Sequence, residues 1–309
     1  MGMGIGIQIR PLHTLEELHA CEELQKRIWG FSDVGVVPHH LLLTAQKSGG
    51  VLLGAFDGGG DGNGDGDGDE LIGFVFGFLG YDPDHRCWKH CSLMCGVLAE
   101  RRYRGVGYEL KLAQRERVLA QGLPLITWTF DPLQAANARF NFGKLGVIAR
   151  SYEENLYGDM RDELNRGLPT DRLTVEWWIS SPRVRARIER PASAPPPHAP
   201  VVNRTERRGA LLQNAEVRLD LEDERLLVEI PTDLNALKAR DPEAALRWRL
   251  ETREIFRRYL ARGYLVSEFF VAGAGDGAGE KRRGFYLLER ELPEVLLERR
   301  DLGQRMGNG

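Results

Sequence analysis

No run of about 18 consecutive apolar residues occurs in this 309-residue chain, and an ordinary membrane-spanning helix is thereby excluded. The first residues, MGMGIGIQIR, form neither a basic nor an apolar leader segment, so a soluble, cytoplasmic protein is expected. An excess of positive charge is missing as well. Lys and Arg number 42 against 45 Asp and Glu, for a net charge of −3, which argues against nucleic acid as a partner, because such binding draws on concentrated cations. Small molecules are the expected partners. Cysteine is scarce: Cys21 stands alone, and Cys87, Cys91 and Cys95 recur every fourth residue near His85 and His90. On a strand, Cys91 and Cys95 share a face about 13 Å apart, too far for one tetrahedral zinc, so free thiols and no metal are expected. What the chain does have is 42% hydrophobic residues, enough for packed cores, and a length at which two domains are the ordinary outcome.

Hydrophobic periodicity divides the first part of the chain into alternating strands and helices. Ile5 to Arg10 alternates as a strand, and Thr14 to Ile28 carries Leu15, Leu18 and Ile28 at helical spacing behind a Thr14–Glu17 capping box. Pro38 to Lys47 is a second, short helix. Val51 to Phe56 and Leu71 to Leu79 read as hairpin strands. Their connection, Asp57 to Asp69, is Gly/Asp-rich and expected to be disordered. Asp61-x-Asn63-x-Asp65-Gly66 imitates half of a calcium loop, but Ile72 stands where a bidentate glutamate belongs, so calcium is not expected. Trp88 to Leu98 is a strand. Gly105 to Gln121 is a helix with Val106, Leu110, Ala113 and Ala120 on one stripe, and Leu125 to Phe130 is a strand. Asp131-Pro132 opens a helix as N-cap and first helical residue, running through Lys144 and stopping at Gly146. Val147 to Tyr157 and Arg172 to Ile179 are further strands.

Residues 183–209, rich in Pro and Arg, read as a solvated linker. Domains at 1–182 and 210–309 follow from that reading. Beyond the linker, Ala215 to Asp220, Leu226 to Ile230, Tyr264 to Val271 and Gly284 to Glu289 read as strands, and Asp241 to Arg262 as a long helix. Leu246, Leu250 and Leu260 on one side of it and Trp248, Ile255 and Tyr259 on the other predict packing on two faces. A weak echo of Leu119-Ala120-Gln121-Gly122 in Leu260-Ala261-Arg262-Gly263 allows this α+β domain to be a degenerate copy of the first.

The most informative segment is Gly96 to Tyr108: an apolar strand, then Arg102-x-x-Gly105-x-Gly107, then a helix. Glycines let main-chain amides converge on an oxyanion, and the following helix adds unpaired N–H groups and the positive end of its dipole. A single phosphate site is expected there, since nothing in the second half repeats the turn.

In element order and in two motifs, residues 5–180 resemble the GNAT superfamily of acyl-CoA-dependent N-acyltransferases. Val97-x-Ala99-x-x-Arg102-x-x-Gly105-x-Gly107 is similar to its pyrophosphate loop, and Asn137 to Gly146 to its Asn-rich helix ending in Tyr-x-Lys-x-Gly-Phe. The C-terminal segment, with Glu229-Ile230-Pro231 and Trp248-Arg249, resembles that of a bacterial subgroup of predicted acetyltransferases, some encoded beside amino-acid racemases, for which succinyl-CoA is a candidate donor. The resemblance implies a mixed α/β GNAT-like fold with a smaller α+β domain. It also implies that amides from Arg102 through Tyr108, namely Arg102, Tyr103, Arg104, Gly105, Val106, Gly107 and Tyr108, hold the CoA pyrophosphate. Val97 and Leu98 would pair with pantetheine, and Asn137 would touch its arm. Many relatives have tyrosine as the thiolate-protonating acid where this chain has Phe142; Tyr103, Tyr108, Tyr152 or Tyr157 could substitute.

The expected reaction is direct attack of an amine on acetyl- or succinyl-CoA. An α-amine of pKa near 7.8 loses its proton at pH 7 for about 1 kcal/mol, against about 4.6 kcal/mol for a lysine side chain, so a small molecule such as an amino acid is the expected acceptor. Asp131, Glu100 and His90 are the candidate bases or water relays, with Tyr157 the leading acid. Arg249 and Arg253, one helical turn apart, could recognise a substrate carboxylate or pair with glutamates such as Glu243. A homodimer is compatible with the sequence. A non-catalytic CoA-sensing or scaffold protein is the alternative, encouraged by Phe142 and the absence of an evident base.

Overall fold

The computed structural model describes residues 6–58, 70–101, 105–160, 165–190, 197–209, 211–273 and 282–290. It is a mixed α/β structure, as expected, and its chain gathers into two compact units, Met1–Trp128 and Thr129–Gly309. The acidic insert with its calcium-like spacing, and Arg102, Tyr103 and Arg104 of the phosphate turn, lie outside the described residues.

In the first unit β1 (Ile7–Pro11), β2 (Val51–Asp57), β3 (Glu70–Asp82) and β4 (Cys87–Val97) form successive antiparallel ladders, and β5 (Leu125–Phe130), which leads out of the unit, joins β4 in parallel. Helix α1 (Leu15–Trp29) starts as predicted. Glu17 N donates to Thr14 Oγ1 at 3.2 Å and Thr14 N to Glu17 Oε2 at 3.1 Å, a cap worth about 1 kcal/mol. The end of α1 lies against one sheet face, since a Cβ on Gly96 would meet Trp29 at 2.7 Å, while α3 (Val106–Ala120) covers the other, with Leu110 3.4 Å from Gly73's Cβ position. Helix α2 (His39–Lys47) follows α1 after a single 3-10 turn.

The buried stripe of α3 differs from the expected one. Val106, Leu110, Gln114 and Val118 repeat every fourth residue and are buried together with Lys111, whereas Ala113 is half-buried and Ala120 exposed. Two polar side chains therefore enter the core beneath β4.

The second unit opens with α4 (Ala135–Ala138), which passes into a π-helical turn over Arg139–Leu145. Its start corrects the helix predicted from Asp131-Pro132. Asp131 Oδ1 accepts from Leu133 N at 2.9 Å and Asp131 O from Gln134 N at 3.0 Å, so Asp131 builds a tight turn and the helix begins only afterwards. Next come β6 (Ile148–Glu153), β7 (Arg172–Trp178), α5 (Pro182–Glu189), β8 (Asn203–Arg208), β9 (Leu211–Val217), β10 (Arg225–Ile230), α6 (Leu234–Arg240), α7 (Pro242–Ala261), β11 (Leu265–Ala272) and β12 (Arg283–Glu289). Within this unit the strands run in the order β7-β6-β11-β12-β10, and β8-β9 is a separate hairpin.

The segment expected to be a tether is instead structured at both ends. Ser181 caps α5 with Pro182 in its first turn, Val184 is buried, and Arg183 and Arg187 both bind Glu268, each with a contact of 2.9 Å. Val266 of β11 pairs with Ala149 of β6. The strands beyond residue 210 thus extend the β6–β7 sheet, and the division between compact units falls at Trp128, not at the Pro/Arg-rich segment. Composition reports solvation of arginine and proline, but it does not reveal a glutamate about 80 residues away that turns two arginines into a clamp.

Helix α7 is capped by Asp241 with Pro242 in its first turn. It buries one face: Trp248, Ile255 and Tyr259 are interior, while Leu246 and Leu250 are exposed and Leu260 is half-buried, which corrects the two-faced packing. Tyr286 centres the core, with ring centroids 4.8 Å from Phe269, 5.3 Å from Phe256 and 5.8 Å from Phe142. No described helix is long and apolar enough to cross a membrane.

Candidate functional site

Strand β4 carries one residue more than its partner. Phe76 pairs with Met94 and Gly77 with Ser92, so Leu93 is a bulge, and the side-chain alternation of β4 reverses there. On its other edge β4 pairs with β5 only through His90–Ile126 and Cys91–Thr127. Over residues 92–96 that edge joins no ladder among the described residues.

Beyond β4, Ala99–Arg101 make a single 3-10 turn and α3 begins at Gly105, whose φ of 85° lies in the left-handed region that glycine adopts without strain. Among the described residues no side chain caps α3, although Thr14, Ser181, Asp233 and Asp241 cap α1, α5, α6 and α7. The first-turn amides around Val106 and Gly107 have no intrahelical acceptor. Around Gly105 a Cβ would meet nothing within 4 Å, and around Gly107 only Val97 Cγ2 at 3.8 Å. Tyr108 is half-buried on this first turn. Val97 ends the β3–β4 ladder opposite Gly73, and Leu98 N donates to Ile72 O at 2.9 Å. Glu100 is exposed and lies 3.4 Å from Arg27 Nη2.

Under β4, a polar cluster fills the α3 face of the sheet. Lys111 Nζ donates to Gln114 Oε1 at 2.7 Å and Ser92 Oγ at 3.1 Å, and it sits 3.8 Å from the centroid of the Trp128 ring. His90 Nε2 lies 3.0 Å from Gln114 Nε2. Burial brings Lys111 down to about 7, and burial with the nearby Lys111 charge brings His90 down to about 3. His90 is fully buried, with no hydrogen-bond partner at Nδ1. Gly77 makes room for it, because a Cβ there would lie 2.3 Å from His90 Nε2. Lys111 is not among the residues expected from the sequence; the available signal is its place beside Leu110 and three before Gln114, at the edge of the buried stripe of α3.

In the second unit, Asp131 and Arg249 form a buried pair, with Arg249 Nη2 2.6 Å from Asp131 Oδ2. Burial works against the charge on Arg249, but Asp131 more than offsets it and raises the guanidinium pKa. Arg249 Nε and Nη1 have no hydrogen-bond partner. Arg253 is held by the fully buried Asp171 through two bonds of 2.8 Å. Asp171 also accepts from Tyr152 Oη at 2.7 Å and Asn155 N at 3.1 Å. Burial pushes Asp171 up, yet these bonds prevail and its carboxyl lies below the ordinary value. Both arginines therefore pair with aspartates and neither with Glu243, while Arg253 Nη1 also pairs with a glutamate, Glu154, at 3.4 Å. Tyr152's proton is committed to Asp171. Tyr157 is half-exposed, with its hydroxyl 2.8 Å from Thr129 Oγ1. Asn137 is exposed on α4, whereas Phe142 is wholly buried.

No family model matches the chain, and no curated protein matches it. Among solved structures, it is similar to the ribosomal-protein-S18-alanine N-acetyltransferase from Escherichia coli, at 14% identity over 57% of this chain and 95% of that one, with a TM-score of 0.41. It is also similar to Arabidopsis thaliana NAA60 in complex with a bisubstrate analogue, at 16% identity over 56% of this chain and 99% of that one, with a TM-score of 0.44. A third is the acetyltransferase of GNAT family from Streptococcus pneumoniae, at 15% identity over 55% and 98%, with a TM-score of 0.43.

Proposed function

We propose that the protein is an acyl-CoA-dependent N-acyltransferase of the GNAT kind that acylates the amine of a small molecule, an amino acid being the favoured acceptor, from acetyl- or succinyl-CoA. The observation that carries this reading is the junction of β4 and α3: a helix start behind Gly105 that no described side chain caps, preceded by a bulged strand whose outer edge, over residues 92–96, joins no ladder among the described residues. The amides of Val106 and Gly107 supply donors for a diphosphate, while Tyr108 N already donates to Gly105 O at 2.9 Å, and the edge of β4 over residues 92–96 supplies peptide groups for an amide-bearing arm such as pantetheine. Arg102, Tyr103 and Arg104 complete the turn in this proposal.

The amine nitrogen attacks the thioester carbon, the C–S bond breaks, the amide nitrogen loses a proton to water or a base, and CoA leaves as thiolate. A thiol of pKa near 8.5 leaves at pH 7 for about 2 kcal/mol, so a dedicated acid contributes at most roughly 30-fold. Tyr157 is the donor we favour, because its hydroxyl is accessible while Tyr152's is not. Glu100 is the accessible carboxylate for a water relay. Asp131, paired to Arg249, serves to orient and not to abstract. Arg249 and Arg253 are the carboxylate-binding candidates of this proposal; Arg249 Nε and Nη1 have no partner but are buried, and Arg253's fork is filled by Asp171.

The second reading, a CoA-binding protein without turnover, draws on Phe142 lying in the core and His90 being sealed inside. Calorimetry with CoA, followed by thiol release from acetyl- and succinyl-CoA across a panel of amines, tests both. Uptake with thiol release is expected, and Tyr157→Phe should lower kcat by no more than about 30-fold. Tight binding without release favours the sensor, and absence of binding removes both readings.

A further inference from the structure

Helix α1 and the first residue of α2 bring two imidazoles onto one carboxylate. His19 and Glu22 are three apart on α1 and share a face. Glu22 Oε2 lies 2.9 Å from His19 Nδ1, and Glu22 Oε1 lies 2.9 Å from His39 Nδ1 and 2.5 Å from the His39 backbone N. The His19 and His39 rings stand 4.4 Å apart, centroid to centroid. One potential ligand atom from each of the three residues lies within 4.8 Å of the other two.

We propose that His19, Glu22 and His39 form a binding site for a first-row divalent cation, Zn²⁺ being the preferred ion. Two imidazole nitrogens and one carboxylate oxygen are a zinc-type donor set, and three protein ligands leave a fourth position for water. Ligands about 2.0–2.1 Å from zinc stand roughly 3.3 Å from one another, so only a small closure of the exposed His19 ring is needed. Each coordinating imidazole nitrogen that now carries hydrogen releases that proton to solvent on binding.

The frame around the three ligands is already fixed. Gln25, fully buried, clamps Val37 through bonds of 2.8 and 3.1 Å to its N–H and carbonyl, and Lys26 binds Asp33 at 2.8 Å. The connection between the helices is thereby held in the register that sets His39 opposite Glu22. A bound cation would tie the start of α2 to α1 and restrain residues 30–39. The site stands independently of the acyltransferase reading, which needs no metal.

The full chain, stripped with a chelator, is titrated with ZnCl₂ by calorimetry and with CoCl₂ by absorption. A single equivalent of Zn²⁺ should bind in the micromolar range, and Co²⁺ should give visible ligand-field bands without a near-ultraviolet thiolate band. His19→Ala and His39→Ala should each weaken binding more than about 10-fold. Glu22→Gln, which keeps the side-chain shape, should do the same, while a Cys91→Ser/Cys95→Ser variant should bind as the parent does. Zn²⁺ should also slow amide exchange across residues 30–39 in the parent but not in His39→Ala. Equal affinity in the histidine variants, a thiolate band lost with the cysteines, or no uptake at millimolar metal would each overturn the proposal.

Discussion

Asp171 shows how strongly one side chain can organise its neighbourhood. It has no solvent exposure and accepts four hydrogen bonds, from Arg253 twice, Tyr152 and Asn155. Its carboxyl is more acidic in the folded state than in the unfolded chain, where a value near 3.9 is ordinary. The unfolded chain therefore binds the proton more readily, and the stability that this anion contributes is fully present above about pH 4 and lost as pH falls through the folded value. Asp171→Asn should destabilise the protein by about 1–3 kcal/mol at pH 7, because it removes the charge that its buried hydrogen bonds serve and leaves Arg253 only Glu154, 3.4 Å from its Nη1. The difference between parent and variant should shrink as pH drops toward 3. Urea unfolding of both across that range measures it, and a gap independent of pH would contradict the assignment.

At the scale of the element, the test falls on the start of α3. Gly107 stands in the first turn with nothing nearer to its Cβ position than Val97 Cγ2 at 3.8 Å, so a side chain can be added there without a clash. Gly107→Asp places a negative charge at a helix N-terminus, where it stabilises by about 0.3–1 kcal/mol. The same charge repels a diphosphate. The variant should melt no lower than the parent yet bind CoA at least about tenfold more weakly; unchanged affinity would move the phosphate site elsewhere. Most of this element was legible in the sequence, because a strand, a glycine turn and a helix are local patterns. Legible too were the capping box of α1 and the Asp241-Pro242 start of α7. Three other features were hidden. The bulge at Leu93 depends on which residues of β3 lie opposite. Lys111 sits at a core position only because Ser92, Gln114 and Trp128 receive its ammonium. The Asp131-Pro132 pair looks like a helix start, yet its side chain bonds two residues ahead and closes a turn first.

At the scale of the whole chain, the contacts that defeat reading from composition are those that join distant segments of the second unit. Arg249 reaches Asp131 across 118 positions, Arg253 reaches Asp171 across 82, and Tyr286 donates to Pro132 O at 2.6 Å across 154. A chain ended at residue 182 keeps the whole of the resemblance that residues 5–180 bear to acyltransferases, though not that of the C-terminal segment. It loses the partners of both buried aspartates, the β11 strand beside β6, and the Phe256 and Tyr286 rings that cover Tyr152 and Phe142. Each aspartate that loses its arginine forfeits a charge-assisted pair of about 1.5–3 kcal/mol, and exposing large aromatic or aliphatic side chains adds about 1.5–3 kcal/mol apiece. These losses together are comparable to the 5–15 kcal/mol that ordinarily holds a domain folded. Residues 129–182 of the 1–182 fragment should therefore take no part in a cooperative melting transition, and the fragment's unfolding enthalpy should be that of the Met1–Trp128 unit alone. Calorimetric scans of the two proteins decide the matter. A fragment that melts with more than that enthalpy and binds CoA as well as the full chain does would mean that the C-terminal strands are an accessory to a domain complete without them.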